Sequence, residues 1–73
     1  MVYMGNICEA HKNLAENEKI KLHFDHENTI SILKDDELEK TNGDLKITGN
    51  ISKCIVFVDT AFVKYMTISE SFL

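Results

Sequence analysis

An α+β domain, with one short N-terminal helix packed on an antiparallel, hairpin-rich β-sheet of four to six strands, is the fold class that three features of this 73-residue chain predict. Near the N-terminus the apolar Ile7, Ala10 and Leu14 recur with His11 at three- and four-residue spacing, which puts them on one helical face. Over Lys19–Phe24 and again over Thr29–Leu33 apolar side chains alternate with polar ones, the period of a half-buried strand. Asn42-Gly43 is a favoured pair for a tight hairpin turn. The length implies a single small domain spanning 1–73. A chain of this size buries only about 60% of its unfolded surface, so help from a metal, a disulfide or a second chain is welcome.

Asn6 is a good N-cap residue, and Glu9 three positions later completes an arrangement like a capping box. The helix is therefore expected from Ile7 to Glu16, with Asn17 as its stop. Ile20, Leu22 and Phe24 then alternate with Lys19, Lys21 and His23, and Thr29–Leu33 alternates again. A three-residue loop at His26-Glu27-Asn28, with Asn28 left-handed, sets Phe24 opposite Ile30 and Leu22 opposite Ile32, so the apolar faces coincide. Asp35-Asp36-Glu37 is a solvated connector or a charged edge. A type I′ turn at Asn42-Gly43 sets Lys40 opposite Leu45 and Leu38 opposite Ile47.

Ile55–Val58 shows no alternation, as expected of a strand covered on both faces. Asp59-Thr60-Ala61 turns the chain, and Phe62–Ile68 returns as a strand that pairs Val58 with Phe62, Phe57 with Val63 and Ile55 with Tyr65. The expected core is Leu14, Ile20, Leu22, Phe24, Ile30, Ile32, Leu38, Ile47, Ile55, Phe57 and Met66.

Charge narrows the function classes. The net charge is −4, from 12 acidic residues against 8 lysines, with no arginine. Direct nucleic-acid binding is not expected, because affinity for phosphates comes from basic groups and guanine edges are read mainly by arginine. The longest apolar run, Cys54–Val58, is far short of the ~18 residues a membrane span needs. No basic leader or lipidation motif precedes it, so the expected location is the cytoplasm, with Cys8 and Cys54 as reduced thiols.

The sharpest chemical constellation is Cys8-x2-His11 followed by His23-x2-His26. Zinc accepts one thiolate and three imidazoles, and short paired spacings let each pair clamp the ion from one local element. In that alternative reading the protein is a small zinc-type metal binder, at the structural cost of turning His23 away from the outward face of its strand. Otherwise no cofactor is expected. No nucleophile elbow, glycine-rich phosphate loop or HExxH helix is present, so no catalytic residues are assigned.

Macromolecular recognition remains. Asp35, Asp36, Glu37 and Glu39 form a candidate acidic partner surface. The C-terminal hairpin carries more apolar side chains than one small helix covers, which predicts a homo-oligomer or partner interface at Phe57, Val58, Phe62, Val63 and Tyr65. The functional expectation is a small non-enzymatic intracellular protein, regulatory or inhibitory, acting on a protein partner. Its size and composition are compatible with a phage or other mobile element.

Overall fold

The computed structural model describes residues 1–71 and places helix α1 at Met4–Lys12, followed by six strands. These are β1 (Glu18–His23), β2 (Thr29–Leu33), β3 (Glu37–Lys40), β4 (Leu45–Thr48), β5 (Ile55–Val58) and β6 (Tyr65–Glu70). They form two three-stranded antiparallel sheets, β2-β1-β6 and β3-β4-β5. The α+β class with a short N-terminal helix and hairpin-rich sheets is thus what the chain adopts, with its strands divided between two sheets.

Helix α1 starts three residues before the expected Ile7 and ends at Lys12, short of Glu16. The N–H groups of Asn6 and Ile7 both donate to the Tyr3 carbonyl, so Tyr3 is the cap and no side chain performs that role. Asn6 and Glu9 therefore form no capping box. The early start brings Val2 and Met4 against the core, and apolar burial outweighs a cap bond of ~1 kcal/mol. Leu14 leaves the helix yet stays buried, its carbonyl accepting the Lys34 ammonium at 2.6 Å.

The first hairpin keeps the expected faces but shifts register by two residues. Leu22 pairs with Ile30 and Ile20 with Ile32, while Phe24 N–H donates to Asn28 O at 2.8 Å. The loop is Asp25-His26-Glu27, and the left-handed residues are His26 (φ 62) and Glu27 (φ 64), not Asn28. A two-residue slip leaves the side-chain alternation intact, so burial does not distinguish the registers; the loop does. The second hairpin has the expected register, Lys40 with Leu45 and Leu38 with Ile47. Among its turn residues only Gly43 (φ 96) lies in the left-handed region, so the turn is not type I′, which needs positive φ at Asn42 too.

The expected C-terminal hairpin does not form. β5 pairs with β4, setting Val56 opposite Ile47 and Phe57 opposite Lys46, and β6 pairs with β1, setting Met66 opposite Leu22 and Ile68 opposite Ile20. Between β5 and β6 the Asp59 carboxylate accepts Ala61 N–H at 3.0 Å and caps a 3-10 turn at Thr60–Phe62. That turn carries the chain from one sheet to the other and buries Thr60 and Val63. The β1–β6 ladder continues past both ends of β6, through Lys64 N–H to His23 O and Ser71 N–H to Asn17 O, both 2.7 Å.

One buried cluster joins everything: Ile7 and Leu14 from the N-terminal segment, Ile20, Leu22 and Ile32 from one sheet, Leu45, Ile47 and Val58 from the other, and Val63 from the crossing. Phe24, Ile30, Leu38 and Met66 pack partly against it. Ile55 and Phe57, expected in the core, are exposed. β5 is an edge strand with its outward face in solvent, where a strand covered on both faces was expected.

Candidate functional site

The edges of the two sheets are finished differently. Along the β2/β3 side lies α1: His11 Nε2 donates to Leu33 O at 3.0 Å, and Gly5 sits beside the Lys40 ammonium. The exposed edge strand there, β3, reads Glu-Leu-Glu-Lys, and Glu39 lies 3.8 Å from Lys46. Charged edges of this kind resist pairing with another chain.

Among the described residues the β5/β6 side has no such cover. β5 reads Ile-Val-Phe-Val and carries no charge. Ile55 is 55% exposed and Phe57 60% exposed on the outward face. Val56 and Ile68 are more telling. Each lies opposite a buried residue, Ile47 and Ile20, and so points to the inward face of its sheet. Yet they remain 40% and 51% exposed. Among the described residues the interior is therefore open to solvent along the edges of β5 and β6.

The residues expected at an interface divide accordingly. Phe57, Phe62 and Tyr65 are exposed, whereas Val58 and Val63 are core residues that cannot touch a partner. The reason is the missing hairpin: inward-facing Val58 on β5 and the crossing residue Val63 fill the space between the sheets. Tyr65 stacks on His23, ring centroids 4.2 Å apart at 12°, and His23 Nε2 lies 2.9 Å from Thr67 Oγ1. Ile55, Val56 and Ile68 belong to the open side and were not anticipated. An apolar run read as doubly covered hides an edge strand, because periodicity alone does not separate the two.

The acidic surface also needs correction. Asp35, Glu37 and Glu39 are exposed, but Asp36 is buried and spends both carboxylate oxygens on backbone. Its Oδ2 accepts Leu33 N–H at 2.9 Å and its Oδ1 accepts Asn50 N–H at 3.0 Å. Asp36 is a structural tie and contributes nothing to a partner surface.

Cys8, His11, His23 and His26 do not converge. His11 touches Leu33 at one end of the β1–β2 ladder, while His23 pairs with Thr29 at the other. Four residues of strand separate those ends, roughly 13 Å. Among the described residues no group of three or more His, Cys, Asp or Glu side chains is placed to hold a metal ion. The four residues of the zinc constellation therefore lie apart in this fold.

Shallow concavities exist, one lined by Glu16, Glu18, Lys34 and Asp35 and another by His23, His26, Lys64 and Tyr65. Neither sets a nucleophile beside a base. Among the described residues no helix is long and apolar enough to cross a membrane. No protein family matches the chain, and neither a curated protein nor a solved structure resembles it.

Proposed function

We propose that this chain is a non-enzymatic protein that acts by binding protein through its open β5/β6 side, in a regulatory or inhibitory role. One observation carries the reading: Val56 and Ile68 face the interior and are still exposed, beside an uncharged apolar edge strand. An edge strand offers unpaired N–H and C=O groups as well as side chains, the arrangement used when an extended segment adds to a sheet. The contrast with the charged, helix-covered β2/β3 side supports a specific role for the β5 side over general stickiness. The free thiols, Cys54 exposed and Cys8 half-buried, fit a reducing, cytoplasmic setting.

A photo-crosslinking residue placed at Phe57 tests this in the source cells, with the same residue at Glu39 on the opposite edge as control. Crosslinking to protein from position 57 and not from 39, abolished by an adjacent Val56→Lys substitution, supports the reading. Crosslinks centred on position 39, or turnover of a small molecule at an ordinary enzymatic rate by the purified protein, overturns it.

A further inference from the structure

We infer that the occupant of the β5 edge is a second copy of this chain, paired antiparallel about a two-fold axis through Val56. The inference rests on the edge-binding reading above and fixes its partner and register.

Three constraints select that register, the first two fixing its parity and the third its position along the strand. The first is backbone polarity. Gly49 N–H donates to Cys54 O at 2.8 Å, which makes Gly49–Cys54 a hydrogen-bonded position of the β4–β5 ladder. Such positions alternate in an antiparallel pair, so Val56 also bonds toward β4, while Ile55 and Phe57 direct their N–H and C=O groups away from it. A second strand must therefore meet Ile55 and Phe57 with residues whose groups also point outward. In a symmetric pair those are Ile55 and Phe57 themselves.

The second constraint is the face. Ile55 and Phe57 project from the outward face and Val56 from the inward face, as their positions opposite Thr48, Lys46 and Ile47 require. Setting Ile55 opposite Phe57 of the second copy keeps like faces together and places the two Val56 side chains side by side over the open interior. A one-residue slip would set inward against outward residues.

The third is charge. The same register brings Lys53, just beyond the start of the ladder, beside Asp59 of the second copy, twice over by symmetry. Both residues are exposed at the two ends of β5, and neither has an ion-pair partner among the described residues. Pairing about Ile55 would lose the bonds of Phe57, because it faces Lys53, whose backbone is left-handed (φ 60) and cannot continue a ladder. Pairing about Phe57 would leave Lys53 beyond the end of the partner strand. Only the axis at Val56 satisfies backbone, face and charge together. The acidic β3 strands then lie at the far edges of a continuous six-stranded sheet, where the repulsion of two −4 chains is smallest.

The test is register-specific disulfide trapping in the full chain with Cys8→Ser and Cys54→Ser. Val56→Cys is expected to form a covalent dimer in mild oxidant, because the residues flank the axis at a non-hydrogen-bonded position, about 4.5 Å apart at Cα. Ile55→Cys and Phe57→Cys, each alone, are expected to stay monomeric on the same timescale. In the unmodified chain, Lys53→Glu weakens dimerisation about tenfold by opposing Asp59 of the second copy, and Asp59→Asn restores most of it while keeping an acceptor for Ala61 N–H. Trapping at Ile55 or Phe57 alone in place of Val56, or a monomeric mass by sedimentation at up to about 0.5 mM, overturns the inference. A monomer whose residue 57 still crosslinks to another protein removes self-pairing and leaves the edge-binding reading intact, whereas a monomer that crosslinks to nothing removes both.

Discussion

The Oδ1 atom of Asp36 accepts the backbone N–H of Asn50 at 3.0 Å, tying the turn between β2 and β3 to the loop between β4 and β5. Its Oδ2 meanwhile holds Leu33 N–H at 2.9 Å, so one buried carboxylate joins the last residue of a strand in one sheet to a loop of the other. Among the described residues few other polar contacts bridge the sheets, and the position is correspondingly sensitive.

Asp36→Ala is expected to destabilise the fold by about 2–4 kcal/mol, since two backbone donors lose a charged acceptor. Asp36→Asn keeps one oxygen and is expected to lose roughly half as much. Asp35→Ala, an exposed neighbour, should stay within about 0.5 kcal/mol. Urea denaturation of the three variants checks the order. Equal stability of Asp36→Ala and Asp35→Ala would show that the tie contributes nothing.

His11 gives a second, separate prediction. Its Nε2 must carry a proton, because Leu33 O at 3.0 Å can only accept. His11→Ala removes that bond and is expected to cost about 1 kcal/mol, measured by thermal denaturation. Because His23 stands at the opposite end of the ladder, a chelator should leave the melting temperatures of the parent and the variant unchanged. A chelator-induced fall in the parent alone would mean that the histidines gather around an ion after all.

What the sequence made legible follows the range of each interaction. Strand Thr29–Leu33, and the pairing of Leu38 with Ile47 around Asn42-Gly43, were readable because a short loop and a two-residue period specify them within a dozen residues. The partners of β5 and β6 were not. An unalternating Ile-Val-Phe-Val run presents two equivalent faces, and closing a longer loop adds little entropy, so a local hairpin has no decisive advantage over distant pairing. The Asp59 cap that diverts the chain into a 3-10 turn is a local signal, but it reads equally well as a hairpin turn. For the same reason the exposure of the expected interface residues divides: Phe57, Phe62 and Tyr65 are exposed, whereas Val58 and Val63 are buried by the crossing itself. Asp36 was hidden by its neighbours, since four acids within five residues look alike until one of them finds backbone donors.

The same substitution at two glycines is expected to act with opposite sign. At Gly5, within α1, a Cβ would meet only the flexible end of Lys40, at 3.8 Å, so Gly5→Ala adds helix propensity without strain and should stabilise by about 0.5–1 kcal/mol. At Gly49 a Cβ would overlap Ser52 Oγ, the atom that accepts Cys54 N–H at 3.2 Å. The serine hydroxyl must then rotate away and lose that bond, so Gly49→Ala should destabilise by about 1 kcal/mol. The other neighbours of that Cβ, Ser52 Cβ at 3.5 Å and Cys54 O at 3.6 Å, are ordinary contacts. Removing the hydroxyl therefore removes the conflict, and Gly49→Ala/Ser52→Ala should be no less stable than Ser52→Ala alone. A double-mutant cycle by urea denaturation measures this non-additivity directly. Additive losses at positions 49 and 52 would mean that the strain lies in the backbone of the β4–β5 loop and not in the serine side chain.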